Sequence, residues 1–305
     1  MKIAFSSCIR YEAFPKQPEW NYIKAENPDY LFLLGDQIYM DFGILSPSLD
    51  PMYLPKIFTP RKFKAVMEKK YKRQFNEINF KSFVDEMKER NAYHATWDDH
   101  DFAWNNARGT KISRKKLKIS TDLFHKYNNC STNHPHIYHH IDTELARVIF
   151  LDNRTYKEKR NSSILGEDQF VFLEEKLSHN LKYTIICGGL TLTEGSENWK
   201  KHPKDLARFC ELVSNNDNVL FLAGDIHKNK FVEPQHIQNA YGSFTIPSQL
   251  ISSGMFMNKY FTGFKFDDLH NWALLELEEN SVDVKFYNGK KIYKSLNSST
   301  TNFFQ

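Results

Sequence analysis

Short apolar runs of strand length recur along the chain, and each run ends in small or polar residues. Six of them are KIAFSSC, DYLFLLGDQIY, AYHATWDDHD, VIFLDNRTY, YTIICGGL and VLFLAGDIHKN. Helical patterns separate several of the runs, notably over residues 63–75, 80–90, 167–177 and 203–213. Because strands and helices alternate, the sequence predicts an α/β fold whose strands are buried and paired largely in parallel.

Two of the runs nearly repeat one another where they end. LFLLGDQIY starts at Leu31 and LFLAGDIHK starts at Leu220. In both, a glycine that allows a tight turn precedes an aspartate, Asp36 in the first and Asp225 in the second. One such pair is as compatible with an ordinary turn as with a site. The second copy, together with the acidic stretch TWDDHDFAWNNA, indicates that carboxylates converge where loops leave the strands, which is where open α/β sheets bind ligands.

Several aspartates at one sheet edge repel one another unless cations or protons neutralise them, so the pattern predicts bound metal. Carboxylate and amide oxygens suit magnesium, calcium, manganese or ferric iron, whereas imidazole and thiolate are softer donors. The candidate ligands of the two kinds are Asp36, Asp98, Asn105, Asp225, His227 and Cys8. A mixed set predicts two unlike metals sharing a carboxylate, a site that clamps a phosphoryl group and generates hydroxide for in-line attack.

The composition is that of a folded protein with a balanced charge. The chain has 305 residues, 41% of them hydrophobic, and 41 Lys and Arg against 37 Asp and Glu leave a net charge of +4. This length fits one large domain or two smaller ones, and this charge does not require a polyanionic partner. The amino-terminal apolar run is too short for a signal peptide or a membrane span, which predicts retention in the cytoplasm.

The four cysteines lie far apart and form no CxxC pair, which argues against a disulfide framework and against a zinc knuckle. They are Cys8, Cys130, Cys187 and Cys210. A free cysteine is usually a small buried hydrophobe, but Cys8 ends the first predicted strand, which favours metal ligation.

The order of motifs along the chain resembles one known family. SSC, GDQIY, WDDHDFAWNN, LDNRTY, GEDQFVFLEEKL, SENWKKHP, LAGDIH and LISSG follow one another from Cys8 to about Trp272. Together they resemble the PhoD-like (alkaline phosphatase D) branch of the metallophosphoesterases. The resemblance implies a four-layer αββα sandwich and a single domain over residues 1–305, with a helical insertion at about residues 40–95.

The resemblance also implies an activity and cofactors. The expected reaction is hydrolysis of a small phosphorylated substrate, either a phosphomonoester or a phosphodiester. The expected metals are ferric iron and a divalent ion, with calcium favoured over manganese, magnesium or zinc. Asp36 would bridge the metals, Cys8 would replace the histidine-bearing first motif of ordinary metallophosphoesterases, and Asp225 and His227 would close the site.

Further ligands follow from the same resemblance. The family pattern of a tryptophan followed eight residues later by an asparagine matches Trp97 and Asn105, which makes Asn105 a ligand. Of the adjacent aspartates, Asp98 is preferred and Asp99 is the alternative.

A tyrosine upstream of WDDHD binds iron in some members, and KKYKRQF places Tyr71 in that region, where Tyr53 also lies. If Cys8 and Tyr71 both bind, thiolate and phenolate favour ferric iron, because only a strong Lewis acid displaces their protons at neutral pH.

Two residues are candidates for catalysis itself. His100 is either a general acid that protonates the leaving group or a residue that orients a carboxylate. Arg154 either directs its fork at phosphate oxygens or forms an exposed salt bridge. Asp152, by contrast, is expected to cap the loop that follows its strand.

The remaining polar clusters have simpler interpretations. NHPHIYHH, with His134, His136, His139 and His140, predicts a solvated hairpin, since adjacent histidines on a strand face opposite sides. The basic runs RKFKAVMEKKYKRQF and SRKKLKIS are solvated faces or a funnel for anionic substrates, and nucleic acid is not expected as the main partner. Two alternative functions remain open at this point, a metal-independent carboxylate-pair glycosidase and a non-catalytic polyanion-binding protein.

Overall fold

The computed structural model describes residues 1–45, 53–128, 136–178, 181–257 and 270–304. Seven helices are α1 Glu19–Ala25, α2 Pro60–Phe75, α3 Ile78–Glu89, α4 Asp99–Phe102, α5 Arg114–Asn128, α6 Glu167–Leu177 and α7 Pro203–Val213. Short 3₁₀ turns cover Leu54–Ile57, Gly109–Lys111 and Trp199–Lys201. Among the helices in these ranges, none has the length and apolar character needed to cross a bilayer.

Within the described ranges, fourteen strands form two six-stranded sheets and one hairpin. They are β1 Lys2–Ser6, β2 Tyr30–Leu34, β3 Tyr93–Thr96, β4 His139–Asp142, β5 Ala146–Phe150, β6 Tyr183–Gly188, β7 Val219–Ala223, β8 Lys230–Val232, β9 Gln235–Asn239, β10 Gly242–Ile246, β11 Ser248–Ile251, β12 Asn271–Leu277, β13 Val282–Asn288 and β14 Lys291–Asn297. The first sheet has the order β14-β13-β12-β1-β2-β3 and the second β4-β5-β6-β7-β11-β8, while β9 and β10 form the hairpin.

The two sheets pack face to face with helices outside. Side chains of both sheets, among them Phe5, Phe32, Phe150, Ile185 and Leu222, share one buried cluster between them. A second cluster joins the outer face of the first sheet to α1, α2, α3 and α5, and a third joins the second sheet to α6 and α7. Each buried aliphatic or aromatic side chain contributes about 1.5–3 kcal/mol. The layers therefore run helix, sheet, sheet, helix, which confirms the predicted αββα sandwich.

The six runs read from the sequence are β1, β2, β3, β5, β6 and β7, and they pair in parallel within each sheet. The sheets as wholes are mixed, because the strands added at their flanks, β12–β14 in the first and β4 and β8 in the second, are antiparallel. The prediction of largely parallel pairing was therefore correct for the strands that carry the site and wrong for the edges.

The predicted insertion corresponds to α2 and α3, which lie between β2 and β3. The side chain of Thr59 accepts a hydrogen bond from the amide of Lys62, and Pro60 occupies the first turn, so α2 begins where capping chemistry favours it. The last residues of the predicted range, 93–95, belong to β3.

The histidine-rich segment forms the predicted hairpin, β4 with β5, but its solvated character was wrong at one position. His139 is buried and its ring stacks on Phe150 at 4.5 Å between centroids. It also lies 5.8 Å from the ring of His94 on β3, so the edge strands of the two sheets meet there. Cys130 and His134 lie outside the described residues.

Candidate metal centre

The predicted ligands share an unusual backbone conformation. Cys8, Asp36, Asp225 and His227 have φ angles of 61°, 54°, 70° and 53°, in the left-handed region that residues with a Cβ seldom adopt. Each such residue costs about 1–3 kcal/mol and persists where the surrounding structure holds it, commonly at functional sites. All four follow parallel strands, β1, β2 or β7, so the sharp turns bring the carboxyl ends of both sheets together.

One group of contacts surrounds Asp36. The thiol of Cys8 lies 3.4 Å from Oδ2 of Asp36, and the hydroxyl of Tyr39 donates to the same oxygen at 3.3 Å. That hydroxyl is also 3.3 Å from Nε2 of His227. The hydroxyl of Ser253 lies 3.2 Å from Sγ of Cys8. It also accepts a hydrogen bond from the backbone amide of His227. A thiol, a phenol, a carboxyl and an imidazole thus share one small space.

Burial dominates the acidity of this group. It raises the pKa of the Cys8 thiol to about 11 and, with the neighbouring Cys8 and aspartates, raises the pKa of Asp36 well above its usual range. Burial likewise raises the pKa of Tyr39 well above its ordinary value. Without a cation, the thiol of Cys8 and the phenol of Tyr39 therefore stay protonated at neutral pH, and a cation in contact with the group would favour the anionic forms.

A second set of contacts extends from Asp36 to the acidic stretch. Ligand atoms of Asp36, Asp99 and His100 all lie within 4.8 Å of one another, and all three residues are buried. The amide of His100 donates to Oδ1 of Asp36 at 3.2 Å. Nδ1 of His100 is 2.5 Å from Oδ1 of Asp41. The other oxygen of Asp41 accepts a hydrogen bond from the backbone amide of Asn105 at 2.8 Å.

The charges around His100 and Asp99 set their protonation. Burial lowers the pKa of His100, but Asp41, Asp99 and Asp36 outweigh it and raise the pKa well above the usual range. Burial would raise the pKa of Asp99, but Arg154 and His100 lower it to about 2. Asp99 is therefore a carboxylate at neutral pH, and the carboxyl groups around His100 favour the protonated form of its ring.

Asp98 is enclosed on three sides. Its Oδ1 accepts from Nε of Arg154 at 2.5 Å, while Oδ2 is buried with no hydrogen-bond partner among the described residues. A Cβ at Gly35 would come within 2.5 Å of the Asp98 Cβ, and one at Gly189 within 2.7 Å of its Oδ1. Only glycine fits at these two positions. Burial raises the pKa of Asp98 to about 6 despite Arg154.

The carboxyl group of Asp225 interacts electrostatically with the same aspartates. Desolvation, followed by the nearby Asp98 and Asp99, raises its pKa to about 7. Since Asp225 follows β7 and Asp98 follows β3, carboxylates from the two sheets face one another. Such an arrangement is costly without a positive charge between them.

Arg154 is not in an exposed salt bridge, because its guanidinium is buried against carboxylates of the protein. It is fully buried, and besides Asp98 it contacts Oδ1 of Asp99 at 3.6 Å and Oε2 of Glu197 at 2.6 Å. Asp152 has the predicted capping role, because its Oδ1 accepts the indole N–H of Trp97 and the amide of Arg154.

The side chain of Tyr71 is buried in a hydrophobic cluster. Its ring stacks on Tyr127 with centroids 5.0 Å apart, within the cluster between α2, α5 and the first sheet. Tyr39 is the tyrosine whose hydroxyl reaches Asp36 and His227. It lies three residues after Asp36, so the GDQIY motif itself contained the signal.

Three other contributors were missed from the sequence. Asp41 follows Asp36 by five residues, whereas Glu197 and Ser253 lie in SENWKKHP and LISSG, motifs that were noted without a role for these residues. Their contacts to His100, Arg154 and Cys8 depend on loops that meet only in the folded chain.

The donor set fits a metal centre. It combines oxygen donors with a thiol, a phenol and an imidazole, and one buried carboxylate oxygen, Oδ2 of Asp98, has no hydrogen-bond partner among the described residues. Hard divalent ions suit the aspartates, and the thiol and phenol suit a stronger Lewis acid.

Comparison with known proteins places this arrangement. The sequence model of the PhoD-like phosphatase family matches residues 3–260. The solved structure of PhoD is similar over 97% of this chain and 68% of its own, with 16% identity and a TM-score of 0.70. The purple acid phosphatase PPD1 of yellow lupin (Lupinus luteus) seeds is similar over 97% of this chain, which spans about half, 53%, of that protein, with 10% identity and a TM-score of 0.55.

A search of curated proteins finds no match to the chain. The family match nevertheless extends over most of the sequence and includes every strand that carries the site. The chain therefore belongs to the PhoD-like phosphatase family and is a metal-dependent phosphoric ester hydrolase.

Proposed function

We propose that this chain hydrolyses small phosphomonoesters or phosphodiesters at a multinuclear centre that binds ferric iron and a divalent ion, with calcium favoured over manganese, magnesium or zinc. The observation that carries the proposal is the contact of Cys8, Tyr39 and His227 around Asp36. Thiolate and phenolate are strongly donating ligands that favour ferric iron. Bound metals would supply the positive charge that polarises the phosphoryl group and activates water.

Each residue of the centre has a distinct part. Asp36 would hold both metals, because its two oxygens face different neighbours: Oδ2 faces Cys8 and Tyr39, and Oδ1 faces the backbone amide of His100. Cys8, Tyr39 and His227 would hold the metal on the Oδ2 side.

The remaining oxygen ligands serve the divalent ion. Asp98 offers its unpartnered Oδ2, Asp99 lies beside Asp36 and His100, and Asp225 faces Asp98 from the other sheet. Asn105 is held near these aspartates by the hydrogen bond that its backbone amide donates to Asp41. Both aspartates of the acidic stretch therefore serve as ligands, and Tyr39 takes the role that the sequence suggested for Tyr71.

His100 protonates the leaving group. Asp41 fixes its ring through Nδ1, and Asp41, Asp99 and Asp36 outweigh burial and raise the pKa of the imidazole above its ordinary value. Nε2 has no hydrogen-bond partner in the described part of the chain and is available to donate. Arg154 forms ion pairs with Asp98, Asp99 and Glu197. It therefore influences the phosphoryl group indirectly, by holding these carboxylates in place.

The test is a panel of phosphomonoesters and phosphodiesters assayed before and after exhaustive chelation. We expect hydrolysis of at least one class, loss of activity on chelation, and recovery only when iron and a divalent ion are both returned. Hydrolysis that survives removal of all metal would contradict the proposal.

A further inference from the structure

A chain of buried charges runs from the centre toward the loop after β6. Arg154 is fully buried, and its three nitrogens face three carboxylates: Nε faces Asp98, Nη2 faces Asp99 and Nη1 faces Glu197. Glu197 in turn accepts from Nζ of Lys157 at 2.6 Å through its other oxygen. In the reaction described above, Glu197 appears only as a partner of Arg154, and Lys157 has no part.

This chain joins loops of both sheets. Asp98 and Asp99 follow β3 of the first sheet, whereas Arg154 follows β5 and Glu197 follows β6 of the second. A guanidinium group is planar, so fixing Nη1 on one side determines where Nε and Nη2 point on the other. Glu197 thereby sets the orientation in which Arg154 meets the acidic stretch.

The orientation of Arg154 determines which oxygen of Asp98 is free. Nε of Arg154 engages Oδ1, and Oδ2 is left buried without a partner. Lys157 has only 5% of its side chain exposed and holds Glu197 from the opposite side, so the Glu197 carboxylate is fixed by two cations. Without Glu197, Nη1 of Arg154 would keep only its long hydrogen bond to the carbonyl of Ala107, at 3.4 Å, so the guanidinium could shift between the two aspartates.

We propose that Glu197, anchored by Lys157, is a positioning residue that holds Arg154 so that Asp98 presents one oxygen to the divalent ion. The inference rests on the proposed function of the centre and extends it to two residues outside it. Groups that orient metal ligands change metal affinity or activity by about 10- to 100-fold when they are removed.

The test measures calcium affinity of the chelated protein by calorimetry, alongside turnover. We expect Glu197→Gln to bind calcium about 10- to 100-fold more weakly than the wild type, and excess calcium to restore part of its activity. Glu194→Gln is the matched control, because Glu194 lies in the same loop, is equally accessible at 22% against 23%, and pairs with Lys230 at 2.5 Å. It should bind calcium as the wild type does.

Glu197→Asp keeps the charge but shortens the side chain by one methylene, so we expect an intermediate loss, and this variant serves if Glu197→Gln does not fold. Wild-type calcium affinity in either folded variant would overturn the inference. Failure of the proposed function would look different, because the wild-type protein itself would then bind no metal or hydrolyse no phosphoester.

Discussion

The two Gly-Asp strand ends of this protein, after β2 and after β7, have nearly the same sequence but different surroundings. Both aspartates adopt left-handed φ angles, 54° at Asp36 and 70° at Asp225. Asp36 is completely enclosed by a thiol, a phenol and the amide of His100. Asp225 remains partly accessible and is influenced mainly by burial and by Asp98. The same Gly-Asp turn therefore places a carboxylate at the end of a strand in each sheet. The neighbouring side chains give the two carboxylates different environments.

The difference lies in the residues that follow. After Asp36 the chain continues to Tyr39 and Asp41, which bind Oδ2 of Asp36 and the ring of His100. After Asp225 it continues to His227, whose imidazole reaches across to Tyr39. The first end therefore places a phenol against Asp36 and a carboxyl against His100, and the second places an imidazole against that phenol.

The largest effect should come from breaking the bridge. Asp36→Asn removes the shared charge, so we expect turnover to fall to background and metal content to drop. Asp225→Asn should lose less, and excess metal should recover part of its activity. Rates and metal content of the two variants, measured in parallel, test this; equal impairment of both would mean that neither aspartate is the bridge.

The protonating role of His100 gives the next largest effect. His100→Ala should lose roughly 10²- to 10⁴-fold in rate on substrates with poor leaving groups, the usual contribution of a general acid. On an activated aryl ester, whose leaving group needs no proton, the loss should shrink. If both ester types suffer equally, His100 only supports the carboxylates around it.

Two tyrosines sharpen the assignment of iron. Tyr39→Phe removes the hydroxyl beside Asp36 and His227, so a visible charge-transfer absorption of the iron-loaded protein should weaken or shift. Tyr71→Phe keeps the stack on Tyr127 and should leave the spectrum unchanged. A spectrum altered by Tyr71→Phe and unaffected by Tyr39→Phe would restore Tyr71 as the ligand.

The smallest effect concerns the edge where β3 and β4 meet, remote from the Gly-Asp ends. Burial lowers the pKa of His139 from 6.5 to about 3 and that of His94 to about 4. The unfolded imidazole takes up a proton below 6.5 and the folded one does not, so stability is present above pH 6.5 and is lost as pH falls toward 3.

For His139 alone this amounts to about 2 kcal/mol between pH 7.5 and pH 5. His139→Phe should therefore flatten the dependence of the unfolding free energy on pH over that interval, as measured by urea denaturation at each pH. An unchanged slope would show that His139 is already protonated in the folded protein.

Much of this fold was readable because local chemistry and global packing agree. The six parallel strands are apolar runs ended by small or polar residues, and α6 and α7 begin and end at the residues that the pattern predicts. The flanking strands β8 and β14 were not anticipated, since β8 is only partly buried, β14 is mostly exposed, and both lack a strong apolar signal.

The site was predictable as far as it depends on strand ends. Asp36, Asp225, His227 and Cys8 could be proposed as ligands because each follows a buried strand. Tyr39 was overlooked although it lies in the same motif as Asp36. Contacts between loops distant in sequence, such as Glu197 with Arg154, arise only when the two sheets pack, and no local pattern encodes them.

The central claim is that the carboxyl ends of the two sheets share one multinuclear metal centre bridged by Asp36. Its most direct test is elemental analysis of the metal-replete wild type beside Asp36→Asn. We predict iron together with a divalent ion in the wild type, and loss of metal from a variant that remains folded. A fully active wild type without bound metal, or an Asp36→Asn variant with unchanged metal content and activity, would contradict the account.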